Sequence, residues 1–83
     1  MTITVEPDPL HVGQAATVCI QGSSHVGETI KVDVDNGMGD TSTVVIKLDD
    51  SGNGCATWTV PSWEAAKFNY STCSEVGRAI ESP

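Results

Sequence analysis

Residues 28–50 read ETIKVDVDNGMGDTSTVVIKLDD. Two alternating segments flank a turn made of Asn, Gly and Asp. In the first, Ile30, Val32 and Val34 fall on one side and Lys31, Asp33 and Asp35 on the other. In the second, Val44, Ile46 and Leu48 oppose Val45 and Lys47. Successive side chains of a strand point to opposite faces, so a period of two marks a strand with one buried face. The β-branched content points the same way. DNGMGD supplies Asx side chains and glycines, the residues that turn a chain sharply.

The same rhythm continues outward. TITVE places Ile3 and Val5 together, and PDP then interrupts, because proline cannot donate to a central ladder. ATVCIQG groups Ala16, Val18 and Ile20. Beyond residue 50, SGNG reads as a hairpin loop, CATWTVP groups Ala56, Trp58 and Val60, and KFNYSTC groups Phe68 and Tyr70. A weak last strand surrounds Ile80. The one helical candidate is SWEAAKF, with Ser62 as its cap and room for about one turn. Short strands with regular turn signals predict an all-β antiparallel sandwich of about seven strands in a single domain spanning 1–83. The expected filling is Ile3, Val5, Val18, Ile20, Ile30, Val32, Val34, Val44, Ile46, Leu48, Trp58, Val60, Phe68 and Tyr70.

Four Lys and Arg stand against eleven Asp and Glu, a net charge of −7. Such a surface repels phosphate backbones and anionic lipid, so no nucleic-acid partner is expected. No apolar run approaches the roughly 20 residues that span a bilayer, so no membrane insertion is expected either. MTITVEPDPL carries neither a basic nor an apolar leader region, and a secretory signal is not expected there.

VEPDPLHVGQAATVCIQG, GETIKVDV and LDDSGNGCATWTVP together resemble bacterial immunoglobulin-like domains. The shared marks are a proline-rich first strand, GQ before the second, a Gly-acid opening to the third, and an Asp-x-Gly turn ahead of W-T-V-P. The resemblance covers about residues 3–82. It implies strands at 2–6, 15–21, 28–35, 42–49, 54–60, 66–73 and 77–82. These are fold markers and carry no active site. The family implies a structural or adhesive module of bacterial surface proteins and phage virions.

Three cysteines are present. Alternation sets Cys19 against Val18 and Ile20, Cys55 against Trp58, and Cys73 on the parity of Asn69 and Ser71. All three therefore face outward. The odd count favours reduced thiols. A Cys19–Cys55 bond between neighbouring strands and a Cys19–Cys73 bond of the antibody type remain as alternatives, with intermolecular links beside them. His11 and His25 have no Asp at a spacing that points to a Cys–His site. Asp49, Asp50 and Asn53 are the calcium candidates, with Asp33, Asp35 and Asp40 a second acidic group. The pattern of a calcium loop fails in register, and turn-forming Asx residues are the expectation.

Trp58 is expected in the interior. Trp63 reads as a lid on one end of the sandwich or, with Ile3 and Val5 of the first strand, as part of an interface. No cofactor and no catalytic residue is expected. The expected partner is a protein: a capsid, a fibre or other copies of this chain. The expectation is a non-enzymatic virion decoration or cement protein, made in the host cytoplasm and displayed on the virion surface. The alternatives are an extracellular module of a bacterial cell-surface adhesin or secreted enzyme, and a small acidic inhibitor of a host protein.

Overall fold

The computed structural model describes residues 1–71 and 73–81, apart from the side chains of residues 75–77. The described chain is all-β, without a helix. Its eight strands are β1 (Thr2–Glu6), β2 (Leu10–His11), β3 (Ala15–Gln21), β4 (Thr29–Asp35), β5 (Thr41–Lys47), β6 (Gly54–Thr59), β7 (Ala65–Tyr70) and β8 (Cys73–Glu81). They form a three-stranded sheet, β1-β3-β6, and a five-stranded sheet, β2-β8-β7-β4-β5.

The strand beyond the expected seven comes from the proline segment. Both Glu6–Pro7 and Asp8–Pro9 are cis. The chain leaves the small sheet after Glu6 and enters the large one at Leu10, where β2 pairs with β8 in parallel, Leu10 opposite Ile80. Leu10 is fully buried there, although the sequence reading treated its segment only as an interruption.

Two further readings are corrected. SWEAAKF holds no helical turn: β7 begins at Ala65, with Ala66 and Phe68 inward and Lys67 outward. One turn is too short to recover the cost of helix nucleation, so the alternating pattern prevails over the preference of alanine. The last two strands also divide elsewhere than expected. β7 stops at Tyr70, Ser71 adopts a left-handed backbone (φ 55°), and Cys73 opens β8 opposite Tyr70. Residues 72 and 82, which the expected ranges included, lie outside the described residues.

One apolar core lies between the two sheets. Ile3, Val5, Val18 and Ile20 face Ile30, Val32, Val34, Val44, Ile46 and Phe68, all buried, with Leu48 and Val60 beside them. Ala16 and Ala66 complete it, and Tyr70 is half-buried at its margin. Trp58 spans the layers. Its ring meets Phe68 edge-on at 5.4 Å, and its indole N–H donates to Ser42 Oγ at 3.1 Å. An indole in a core needs a partner for its one polar atom, and Ser42, on the inward parity of β5, supplies it.

Candidate binding surfaces

The acidic turn after β5 is assembled by its own side chains. Asp49 Oδ1 accepts the backbone N–H groups of Ser51 at 2.8 Å and Asn53 at 3.0 Å. Those bonds, the one from Asn53 foremost, hold the Asp49 carboxyl below its ordinary value. Asn53 Oδ1 accepts the Gly22 N–H at 2.9 Å and ties this turn to the end of β3. Gly52, at φ 78°, lies so close to Ser23 O that a side chain there would collide with the backbone. Asp50 is exposed. The candidate calcium ligands thus divide: Asp49 and Asn53 are committed to backbone donors, and Asp50 stands apart from those bonds.

The β4–β5 turn works in the same way. Asn36 Oδ1 accepts the N–H groups of Met38 and Asp40, and Asn36 Nδ2 donates to Asp40 Oδ2. Asp35 accepts from Gly37 N–H and from Asn69 Nδ2. Among the described residues, no three His, Cys, Asp or Glu side chains come together as a metal-binding group.

Cys19 and Cys55 are joined in a disulfide. They stand directly opposite each other on β3 and β6, with Cα atoms 4.1 Å apart. A separation that short belongs to the non-hydrogen-bonded pairs of an antiparallel ladder. This arrangement replaces three reduced thiols and the Cys19–Cys73 pairing. Both bonded cysteines face outward, opposite Val18, Ile20 and Trp58. Cys73 does not: the turn at Ser71 resets its parity, and the side chain packs against the core. Its thiol donates to Met1 O at 3.3 Å, linking β8 to the start of β1.

His25 meets Tyr70 edge-on at 6.1 Å and pairs with Glu28 at 3.1 Å, whereas His11 is half-buried on β2. Trp63 is half-buried with its ring 5.8 Å from Trp58, closing one end of the core. Ile3 and Val5 point into the core, so β1 offers a partner only its backbone edge and its outward residues Thr2, Thr4 and Glu6.

Two surfaces follow from this layout. The outer face of β1-β3-β6 presents Thr2, Thr4, Thr17, Thr57 and Thr59 around the disulfide, with Glu6 its one charge among the strand residues. A shallow cleft of about 470 Å³ opens at its edge between Glu6, Asp8 and Thr17. The five-stranded sheet carries all four cationic side chains: Lys31, Lys47, Lys67 and Arg78. Arg78 pairs with Asp8 at 3.0 Å. The threonine face had a signal in the sequence, since four of its threonines alternate with buried residues in TITVE and TWT. No protein-family model matches the chain, and comparisons with curated proteins and with solved structures returned no match.

Proposed function

We propose that this chain is a non-catalytic, immunoglobulin-like binding module that decorates a virion by docking on a capsid or fibre protein. The observation that carries the reading is how the chemistry-bearing residues are used. Asp49, Asn53, Asn36 and Asp35 all accept from nearby backbone N–H groups, so they serve the turns instead of converging on a cleft. The strand order also supports an immunoglobulin-like arrangement, with the first, second and fifth expected strands in one sheet and the sixth and seventh beside the third in the other. It departs from the antibody constant type in two respects: the fourth strand lies beside the third and not beside the fifth, and β2 adds a short parallel strand beside β8.

The docking surface in this reading is the threonine face. A chain of charge −7 meets many equivalent sites best through a patch that costs little to desolvate, and one charge on ten strand positions makes such a patch. The test is mass spectrometry and immunogold labelling of particles purified from cells that express the chain. Decoration predicts the chain at regular positions on the particle. It also predicts loss of labelling when Thr17 and Thr57, opposite each other on β3 and β6, are both changed to Glu. Absence of the chain from purified particles overturns the virion reading.

A further inference from the structure

Asn-Gly occurs twice in the chain, at Asn36–Gly37 and at Asn53–Gly54. This step is prone to a reaction of the chain with itself. The glycine backbone nitrogen attacks the asparagine side-chain carbonyl, and the absence of a Cβ leaves the approach unobstructed. The structure treats the two steps in opposite ways.

Asn53 is locked. Its N–H donates to Asp49 Oδ1, its C=O accepts from Asp49 N–H, and its Oδ1 accepts from Gly22 N–H. Gly54 stands opposite Ile20, next to the non-hydrogen-bonded pair Cys19–Cys55, so its N–H is spent in the β3–β6 ladder. Its backbone has no room to swing out, because an atom added at its Cα would strike Lys47 O.

Asn36 sits in the β4–β5 turn among the groups that the reaction needs. Gly37 N–H donates to Asp35 Oδ1 at 3.0 Å, within the reach of a general base. Asp35 is itself oriented, since its Oδ2 accepts from Asn69 Nδ2 of the neighbouring β7 at 3.1 Å. Asn36 Oδ1 is the oxygen that gains negative charge under attack. It accepts the N–H groups of Met38 at 2.8 Å and Asp40 at 3.1 Å. Two backbone donors at that range make an oxyanion hole. The leaving nitrogen, Asn36 Nδ2, donates to Asp40 Oδ2 at 3.1 Å. Gly37 is exposed, and nothing lies within 4 Å of where a Cβ would stand, so water and the moving backbone both have room.

We propose that Asn36–Gly37 is a self-modification site, at which the folded chain converts Asn36 into aspartate and isoaspartate. Asp35 takes the Gly37 amide proton as Gly37 N bonds to Asn36 Cγ. The Cγ–Nδ2 bond breaks, and Nδ2 leaves as ammonia with that proton, returned through Asp35 and water. Water then opens the succinimide at either carbonyl. Nothing is oxidised or reduced: an amide and a water become an acid and ammonia. Asp35 is the base, and Asn69 is its positioning residue. The product sets a carboxylate against Asp40, where Nδ2 had donated, and adds one negative charge to the net −7. The reaction lies away from the threonine face and holds whatever that face binds.

The test incubates the full chain at neutral pH in oxygen-labelled water, folded and in denaturant, and reads peptide maps by mass spectrometry. In the folded chain, residue 36 is expected to lose ammonia and gain labelled oxygen about ten-fold faster than in denaturant, or more. Residue 53 is expected to react only in denaturant. Asp35→Asn is expected to slow residue 36 of the folded chain by about ten-fold or more, and Asn69→Ala by a smaller factor. Neither change is expected to alter the rate in denaturant. The sign separates activation from confinement, because a turn that merely held Asn36 still would react faster once loosened. A folded rate at residue 36 at or below the denatured rate overturns the proposal. So does residue 53 keeping pace with it in the folded chain, or either variant speeding it. If Asp35→Asn fails to fold, Asn69→Ala and the folded-to-denatured ratio still decide.

Discussion

The three-stranded and five-stranded sheets bury the same kind of side chain, yet what they turn outward differs. The small sheet shows threonines and one charge and is stapled across β3 and β6 by Cys19–Cys55. The large sheet carries every Lys and Arg of the chain, has no crosslink within it, and contributes Phe68, the largest fully buried side chain. Three short strands cannot bury much on their own. The difference teaches that one thin core is held from its two sides by different means: a covalent tie on the narrow sheet, and aromatic packing with a longer ladder on the wide one.

Breaking the wide sheet's contribution should cost the most. Phe68→Ala removes the ring that meets Trp58 and is expected to lower stability by about 3–5 kcal/mol in chemical denaturation. Releasing the narrow sheet's staple comes next. Cys19→Ser with Cys55→Ser opens a loop of sequence separation 36 and is expected to cost about 2–4 kcal/mol. Hydrogen exchange should then show β6 amides losing protection before those of β4. A smaller effect sharpens the link between the sheets. Ser42→Ala leaves the Trp58 indole N–H without its acceptor and should cost about 1–3 kcal/mol. An equal loss in Ser42→Ala and Trp58→Phe, without further loss in the double variant, would assign it to that bond. The smallest effect is at the exposed turn. The folded Asp49 carboxyl titrates below its ordinary value of 3.8, so its contribution is present above that value and disappears as pH falls through the folded one. Asp49→Asn should flatten this acid limb in a pH series of thermal melts and leave the neutral range nearly unchanged.

Much of this layout was legible because alternation is a local signal. Ile30, Val32 and Val34, or Val44 and Ile46, announce their face by their immediate neighbours. Leu10 did not: it stands among prolines, and only the path between the sheets makes it a core residue. Cys73 failed for a related reason. Parity carries along a strand but not across a turn, and Ser71 in a left-handed conformation shifts the count where no glycine marks it. Cys19 and Cys55 could each be oriented from the sequence, whereas their bond depends on the relative register of two strands 36 residues apart. That register is a tertiary fact without a short-range signature. Trp58 was legible as interior, but its partner Ser42 was not, because an inward serine looks like any polar interruption until the indole is placed. The acidic turns needed no tertiary information, since Asp49 and Asn36 bond almost entirely within four residues of themselves.

The disposition of the three thiols tests the account most directly, because one register error in β3, β6 or β8 would change it. Non-reducing peptide mapping of the oxidised, folded chain should recover residues 19 and 55 in one linked peptide, with the half-buried Cys73 in an unlinked one that carries the free thiol. A linked peptide containing Cys73, or a native chain with three reactive thiols, would contradict the arrangement of the two sheets described above.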